Sequence, residues 1–354
     1  KWSYEPPRAE DVPLALAHGA HLAGLAPRGP VFVSLPMDDW YAEVDEADAK
    51  AAIERRVTGR AVADPEAVRA LAERLDAAAN PVLVAGPDVD AAGAWDLAVA
   101  LAERQRLPVW ASPATGGVRL GFPESHPNFR GVLPPAIGPV GQTLEAHDLI
   151  LVVGSSVFPY YPHIPGPLLP EGASLVAITS DPDEAVRAPM GDAIVADVRL
   201  TLAALVEAVP ESSRPVPEPN PGPGEIPAED PLNSSTVHSA LAEAMPEDAI
   251  VVLESPSSTL ALRNQLRISR PGSYYFSAGG GLGFGLAASV GVQLAQPDRP
   301  VVCVLGEGSA QYAITAFWSA VAYQAPVTFL VLQNQEYAIL KWFAEVENVN
   351  GAPG

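Results

Sequence analysis

The stretch VVCVLGEGSAQYAITAFWSAVAYQAPVTFLVLQNQEYAILKWFAE, Val301 to Glu345, decides the fold. Val301–Leu305 and Val327–Leu332 are short apolar runs, and the segment Ser309–Tyr323 between them has the composition of a helix. Strands that are apolar throughout and joined by a helix are typical of a parallel sheet covered on both faces. The pattern therefore predicts a strand, a helix and a strand of an α/β fold.

Oxygen-bearing side chains follow both predicted strands. Glu307 follows the first strand after Gly306, ahead of Gly308 and Ser309, and Asn334 and Glu336 follow the second strand. Ligands bind beyond the carboxyl ends of parallel strands, Mg²⁺ takes oxygen ligands together with phosphates, and helix starts favour anions. We predict a diphosphate held by Mg²⁺ at these residues, although an ordinary βαβ unit with polar loops fits the composition equally well.

The same residues resemble a known family. GEG at Gly306–Gly308 followed by Asn334 is similar to the thiamin-diphosphate signature, which usually has GDG and an Asn pair. GSYYFSAGGGLGFGLAASVGVQLAQPDRPVVCVLGEGSAQY and NQEYAILKWFAE resemble the benzoylformate decarboxylase family, and the resemblance runs from KWSYEP through GPVFVSLPMDDW to ESSRPVP. It implies doubly wound parallel sheets of the thiamin-diphosphate-enzyme architecture. It also implies non-oxidative decarboxylation of an aromatic 2-oxo acid, benzoylformate, to benzaldehyde and CO2, with Mg²⁺, through a thiamin-diphosphate ylid.

Length and charge limit the possible functions. The 354 residues, 48% of them hydrophobic, predict two or three domains. The net charge of −21 argues against nucleic acid and anionic membranes as partners. Without a basic leader or a long apolar run, we predict a soluble cytoplasmic protein. The chain starts with Lys1, and we expect it to begin partway through a longer protein.

The first 44 residues are predicted to be the end of a pyrimidine-binding domain. A helix at Asp11–Leu25 precedes a strand at Val31–Leu35, and GPVFVSLPMDD resembles the closing strand of that domain. The polar stretch Tyr41–Ala61 is predicted to be a linker. By resemblance, the glutamate that activates the cofactor lies before Lys1, so the chain alone lacks it.

Residues 62–208 are predicted to form a central Rossmann-like domain, because strands and helices alternate. Gly86-Pro87-Asp88 is predicted to be a plain turn, since it lacks GxGxxG. The predicted elements are helices Pro65–Ala79, Ala92–Arg106 and Leu200–Ala208, and strands Val82–Ala85, Val109–Ser112, Leu149–Val153, Leu175–Thr179 and Ala193–Val195.

A loop rich in aromatic residues and proline, Phe158–Leu169, follows one of these strands. The resemblance implies an active-site histidine in this loop, but Tyr161 stands at that position and His163 follows two residues later. Histidine transfers protons near neutral pH, whereas tyrosine is the poorer group unless its pKa is shifted. Either His163 takes over the proton transfer, or protonation of the reaction intermediate is altered. An equal alternative is that His163 is a loop residue without a catalytic role.

Residues 209–231 are predicted to be a proline-rich linker, and residues 232–354 a diphosphate-binding domain that stops before its sheet is complete. A helix at Ser235–Met245 and a strand at Ile250–Leu253 open this domain. By resemblance, Ser257 contacts the diphosphate, and Pro256 replaces a threonine that would supply a second hydroxyl.

The glycine cluster Gly279–Gly285 precedes a predicted helix that ends near Leu294. Alone, it indicates only close backbone approach. The resemblance implies that the Gly280 carbonyl accepts a hydrogen bond from the aminopyrimidine and that Leu282 supports the bent cofactor.

By the same resemblance, Tyr337 contacts the diphosphate, and Leu340 and Phe343 form a substrate wall. Because these residues have helical spacing, they could equally well pack in the hydrophobic core. Glu307 stands where the family has Asp, and the added methylene predicts weaker cofactor binding because Mg²⁺ tolerates little misplacement.

The resemblance further implies a dimer or tetramer acting on a small 2-oxo acid. A decarboxylase or carboligase for another 2-oxo acid is the nearest alternative, and a degenerate binding protein is another. One feature favours a dehydrogenase, because GFGLAA at Gly283–Ala288 approximates a dinucleotide-binding fingerprint.

Overall fold

The computed structural model describes residues 1–113, 118–158, 164–224, 226, 232–277 and 279–347. The strands within these ranges form three sheets, and every pairing is parallel. The doubly wound α/β prediction is confirmed. The strands are β1 Trp2–Tyr4, β2 Val31–Val33, β3 Pro81–Ala85, β4 Val109–Ala111, β5 Phe129–Val132, β6 Leu149–Val153, β7 Ser174–Thr179, β8 Asp192–Val195, β9 Ile250–Glu254, β10 Tyr274–Phe276, β11 Val301–Gly306 and β12 Thr328–Leu332.

Helices connect most of these strands, as parallel pairing requires. Among the described residues, every helix is too short or too polar to span a bilayer. The helices are α1 Val12–Gly24, α2 Glu46–Glu54, α3 Pro65–Ala77, α4 Pro87–Ala91, α5 Trp95–Arg104, α6 Ile137–Thr143, α7 Pro182–Arg187, α8 Val198–Ala208, α9 Ser234–Ala244, α10 Thr259–Gln265, α11 Phe284–Ala295, α12 Glu307–Tyr312, α13 Ala316–Ala322 and α14 Ala338–Val346.

The central sheet has the strand order β5-β4-β3-β6-β7-β8, so the order reverses between β3 and β6. Ligands of such sheets enter the crevice at this reversal. Here the backbone fills it, because a Cβ added to Gly86 would lie 2.3 Å from the Gly154 oxygen. The Gly86 N–H also donates to the Val153 carbonyl at 2.8 Å.

Two predictions near these strands are wrong. Gly86-Pro87-Asp88 is not a plain turn, since Pro87 occupies the first position of α4, where its missing N–H costs nothing. The predicted helix Ala92–Arg106 begins only at Trp95, because the chain bends through Gly93, which has φ +64°.

The stretch Tyr41–Ala61 is also more ordered than predicted, since it contains α2. The Asp45 carboxylate caps this helix, accepting hydrogen bonds from Ala47 N at 2.8 Å and Asp48 N at 3.0 Å. Helix α2 buries none of its residues, so the sequence there is polar and charged throughout. Such a composition is also typical of a linker, which is why the helix was missed. A single polar cap is a weak signal without an apolar face.

The sheet nearest the C-terminus has the order β10-β9-β11-β12 and reverses between β9 and β11. The predicted helix Ser309–Tyr323 is in fact two helices, α12 and α13, which are separated at Ala313–Thr315. The β-branched residues Ile314 and Thr315 at this break are poor helix formers. Strand β10 was missed because it has only three residues.

Both larger sheets share one hydrophobic core. Leu83 of β3, Val251 of β9 and Tyr274 of β10 belong to the same buried cluster. The opposite face of the second sheet packs on α11 through Leu286 and Cys303. Strand β9 is therefore buried throughout, and its carboxyl end has a fixed position relative to both domains.

Candidate cofactor site

Glu307 and Asn334 meet at the carboxyl edge of the second sheet. Gly306 of β11 lies opposite Leu332 of β12, so the residues after the two strands are neighbours. The Glu307 Oε1 atom accepts hydrogen bonds from the Asn334 N–H at 3.2 Å and the Gln335 N–H at 2.7 Å. The structure thus joins two of the three residues for which we predict a metal.

The oxygen atoms at this edge suit a hard divalent cation. They comprise the Glu307 carboxylate, the Asn334 side-chain amide oxygen, which accepts a hydrogen bond from the Glu336 N–H at 3.1 Å, and main-chain carbonyls of the following loop. The Glu336 carboxylate instead pairs with Lys341, which leaves its main-chain carbonyl as the donor that the resemblance implies. Among the described residues, no group of three or more His, Cys, Asp or Glu forms a metal cluster. A mixed set of carboxylate, amide and carbonyl oxygens is compatible with Mg²⁺.

Gly308 and Tyr337 are in direct contact. A Cβ added to Gly308 would lie 2.9 Å from the Tyr337 Cε1 atom. The absence of a side chain at Gly308 therefore lets the tyrosine ring lie against the start of α12. Tyr337 precedes α14 and remains 51% exposed, so its outer face is free for a ligand.

The glycine cluster has one open end and one tightly packed end. Added Cβ atoms at Gly279, Gly280 and Gly281 would meet nothing within 4 Å, and Gly280 has φ +66°. Leu282 is half-buried beside this open backbone. The space around Gly280 is compatible with the close approach of a ring to its carbonyl.

Glu254, at the end of β9, is a site residue that the sequence analysis missed. It is buried, and its two carboxylate oxygens accept hydrogen bonds from the Gly283 and Gly285 N–H groups. Burial raises the pKa of Glu254, while these N–H donors act in the opposite direction. The sequence contained a signal for this role. Glu254 is an acidic residue at the end of an apolar strand, and a glycine-rich helix start follows later in the chain.

The Glu254 carboxylate also argues against the dinucleotide reading of Gly283–Ala288. In dinucleotide sites the helix start after the glycines receives a pyrophosphate. Here a protein carboxylate already occupies the corresponding N–H groups of α11. A second anion at this position would be repelled.

Ser257 lies on a short 3-10 helix at Pro256–Ser258, directly after β9. Its side chain is exposed, whereas Ser255 and Ser258 are buried and joined by a 2.7 Å hydrogen bond between their hydroxyls. Pro256 starts this helix, and α14 packs against it. The predicted diphosphate contact at Ser257 is therefore accessible.

The two predicted substrate-wall residues lie on α14. Leu340 is 59% exposed, and Phe343 is half-buried with its ring 4.8 Å from that of Trp342. Leu340 is not part of the core formed by the described residues. Tyr161 and His163 lie outside the described residues.

Comparisons with known proteins identify the family. The family profile described as "Thiamine pyrophosphate enzyme, central domain" matches residues 68–205, and "Thiamine pyrophosphate enzyme, C-terminal TPP binding domain" matches residues 257–351. Benzoylformate decarboxylase of Pseudomonas aeruginosa is 50% identical over 355 residues, which cover 100% of this chain and 67% of that protein.

Solved structures give the same result. The thiamine diphosphate-dependent 4-hydroxybenzoylformate decarboxylase of Rhodococcus jostii RHA1 has a TM-score of 0.94 and 45% identity, covering 100% of this chain and 67% of that one. Benzoylformate decarboxylase from Polynucleobacter necessarius has a TM-score of 0.93 and 39% identity, covering 100% and 66%. The chain thus spans about two thirds of the length of these relatives. With both profiles matched and half of its residues identical to one member, the chain belongs to the thiamine pyrophosphate enzymes of the benzoylformate decarboxylase family.

Proposed function

We propose that the protein decarboxylates an aromatic 2-oxo acid, benzoylformate, to benzaldehyde and CO2, with thiamin diphosphate and Mg²⁺. The observation that carries this proposal is the contact between the Glu307 carboxylate and the loop of Asn334 in a chain of this family. It places the Glu307 carboxylate beside the loop that carries Asn334 and Glu336, at the sheet edge where the family implies a metal-bound diphosphate.

In this proposal, Glu307, Asn334 and the Glu336 carbonyl hold Mg²⁺. Gly308, Ser309 and Ser257 bind the diphosphate, and Tyr337 covers it. Ser309 is buried at the start of α12. Its backbone N–H and that of Gly308 would donate to phosphate oxygens. These residues anchor the cofactor and perform no proton transfer.

The Gly280 carbonyl would accept a hydrogen bond from the aminopyrimidine, and the Leu282 side chain would support the ring without competing for its proton. Bound thiamin diphosphate supplies the electron sink for loss of CO2. Leu340 and Phe343 would contact the aryl group and exclude water. Tyr161 or His163 would deliver the proton that completes the aldehyde.

The proposal extends to the whole protein. We infer domains at residues 1–44, 62–208 and 232–354, joined by a linker at 209–231. We further propose a homo-oligomer, a dimer or tetramer, in the cytoplasm, acting on a small 2-oxo acid in aromatic catabolism such as mandelate breakdown. By resemblance, the activating glutamate would come from a pyrimidine-binding domain.

Tyr161 favours a second candidate function. If tyrosine protonates the intermediate slowly, an aldehyde acceptor would capture it, and the enzyme would act as a carboligase or prefer another 2-oxo acid. Probable 2-ketoarginine decarboxylase of Pseudomonas aeruginosa, 31% identical over 292 residues, is a relative named for another substrate. Glu307 and Pro256 together support a third candidate, a degenerate homologue that binds without catalysis.

The test is an assay of the full-length protein with thiamin diphosphate and Mg²⁺. Benzoylformate, 4-hydroxybenzoylformate and pyruvate would be supplied separately, and CO2 and aldehyde measured together. We expect equal amounts of CO2 and benzaldehyde from benzoylformate, and no CO2 after chelation of Mg²⁺. Acyloin in place of aldehyde would favour the carboligase. Cofactor binding without CO2 from any substrate would favour the degenerate homologue.

A further inference from the structure

The open part of the glycine cluster is attached to the protein through Glu254. Gly283 N–H donates to Oε1 of this residue and Gly285 N–H to Oε2, so a single carboxylate holds both sides of the first residue of α11. Glu254 is 2% exposed. Its backbone is fixed by β9, which lies between β10 and β11.

Both glycines are required for this arrangement, for different reasons. Gly283 has φ +98°, a left-handed conformation that other residues adopt only with strain. A Cβ added to Gly285 would lie 2.7 Å from the Glu254 Cβ atom and 3.0 Å from Oε2. Any side chain at Gly285 would displace the carboxylate.

The electrostatic consequence concerns the cofactor. Helix α11 has 12 residues, and its N-terminus attracts negative charge. Glu254 supplies that charge from within the protein, so a diphosphate is directed away from α11 and toward α12. The open residues Gly279–Gly281 then remain for an uncharged ring.

We propose that Glu254 is a positioning residue for the cofactor ring, and this inference rests on the proposed function. Its carboxylate fixes the start of α11 and thereby the height of Gly280 and Leu282 above the sheet. It also separates the ring subsite from the diphosphate subsite. Glu254 touches neither the metal nor the diphosphate in this proposal.

The test uses Glu254→Gln and Gly285→Ala, with Glu243→Gln as a control because Glu243 is an exposed carboxylate on α9. Amide hydrogen exchange of residues 279–285 is measured on the cofactor-free full-length protein. Binding of thiamin diphosphate with Mg²⁺ is compared with binding of magnesium pyrophosphate alone. Circular dichroism verifies folding of each variant.

We expect about tenfold faster exchange of the backbone amides at positions 283 and 285 in both site variants, because charge-assisted hydrogen bonds are lost. Affinity for thiamin diphosphate should fall by about tenfold, while affinity for magnesium pyrophosphate stays within about twofold, since only the ring loses its support. The control should match the original chain in every measurement. If Glu254→Gln does not fold, the same comparison on Gly285→Ala decides the question.

Unchanged exchange and unchanged cofactor affinity in the site variants would overturn the inference. An equal loss of both affinities would also overturn it, because the role would then be general stability rather than ring positioning. If the original protein binds magnesium pyrophosphate but not thiamin diphosphate, the proposed function fails. Faster exchange in the variants would then still establish the Glu254 contact.

Discussion

The side chain of Glu307 is one methylene longer than the aspartate of the family signature, and the added length has a structural role. The longer side chain reaches the Asn334 and Gln335 N–H groups, so it links the two strand ends as well as presenting oxygen to a cation. The expectation of weaker cofactor binding than with aspartate stays a prediction. Glu307→Asp would test it, and equal affinities for thiamin diphosphate would contradict it.

Two carboxylates at this edge should respond differently to substitution. Glu307→Gln should weaken Mg²⁺-dependent binding of thiamin diphosphate by about tenfold or more, because a neutral amide is a poorer ligand for a hard cation. Glu336→Gln retains the main-chain carbonyl and loses only an exposed pair with Lys341. Titration calorimetry should therefore show little change for that variant, and equal losses would contradict the assignment.

His238 on α9 should make the stability of the chain depend on pH. The ring is fully buried, its nitrogens have no hydrogen-bond partner among the described residues, and burial lowers the pKa of His238 to about 4. The unfolded chain, with an ordinary histidine pKa near 6.5, binds a proton first as the pH falls. The contribution of His238 to the free energy of unfolding is therefore lost as the pH drops from about 7 toward 4.

We expect His238 to account for about 2 kcal/mol of the stability lost between pH 8 and pH 5. Urea denaturation of the chain and of His238→Gln at both pH values measures this difference. Because the substitution itself changes the stability, the quantity compared is the difference in the free energy of unfolding between pH 8 and pH 5 within each protein. Identical changes in the two proteins would show that His238 is not responsible.

At the scale of the elements, Arg214 attaches the start of the predicted linker to the central domain. Arg214 Nη1 donates to the carbonyls of Leu75 at 2.9 Å and Ala78 at 3.0 Å, at the end of α3. Its Nη2 donates to the Gln105 carbonyl at 2.8 Å and to the Gln105 side-chain oxygen at 2.6 Å. One guanidinium therefore joins the ends of α3 and α5 to the chain that leaves the central domain.

Arg214→Met should destabilise the chain by about 2 to 3 kcal/mol, because several partly buried carbonyls lose a charged donor. It should also speed proteolysis of the linker after Arg214. Arg187→Met on α7 is the control, since Arg187 forms an exposed pair with Glu184 that contributes at most about 1 kcal/mol. Equal effects of the two substitutions in denaturation and proteolysis would contradict the prediction.

The elements that the sequence predicted well are those with strong apolar patterns. The predicted bounds of strand β6, Leu149–Val153, match the structure, because all five residues are buried. Strand β5, Phe129–Val132, was missed because an arginine and a glycine interrupt it and β4 supports it with an irregular register. Helix α6 was missed because its core contains Gly138, Pro139 and Gly141, which are poor helix formers.

On the scale of the whole molecule, a buried ion pair joins the central domain to the cofactor domain. Arg263 of α10 and Glu124 have side chains 2% and 1% exposed and form a salt bridge. Glu124 also accepts a hydrogen bond from Ile268 N at 2.9 Å, and the Arg263 guanidinium lies 4.6 Å from the Tyr274 ring centroid. Burial raises the pKa of Glu124, and Arg263 opposes that shift.

Removing one partner should cost more than removing both. Arg263→Met and Glu124→Leu should each destabilise the chain by about 3 to 5 kcal/mol, because each leaves a buried charged or polar group without its partner. The double variant should lose less stability than either single variant, because no buried charge is then left without its partner. Urea denaturation of all four proteins measures the coupling, and additive losses would show that the pair does not act as a unit.

The proximity of Glu307 and Asn334 could be predicted because each lies within two residues of the end of an apolar strand of one parallel sheet. The role of Glu254 could not, since its donors lie 29 and 31 residues further along the chain. Only the packing of α11 on β9 brings them together. Local patterns thus give strand ends, whereas contacts between a strand end and a distant helix start require the assembled fold.

The approach of Gly86 to Gly154 has a practical meaning for inhibitor discovery. Adenosine-like compounds often enter Rossmann-type sheets at the crossover that this contact fills with main-chain atoms. A compound built on such a scaffold would have to displace main-chain atoms of both loops at this crossover.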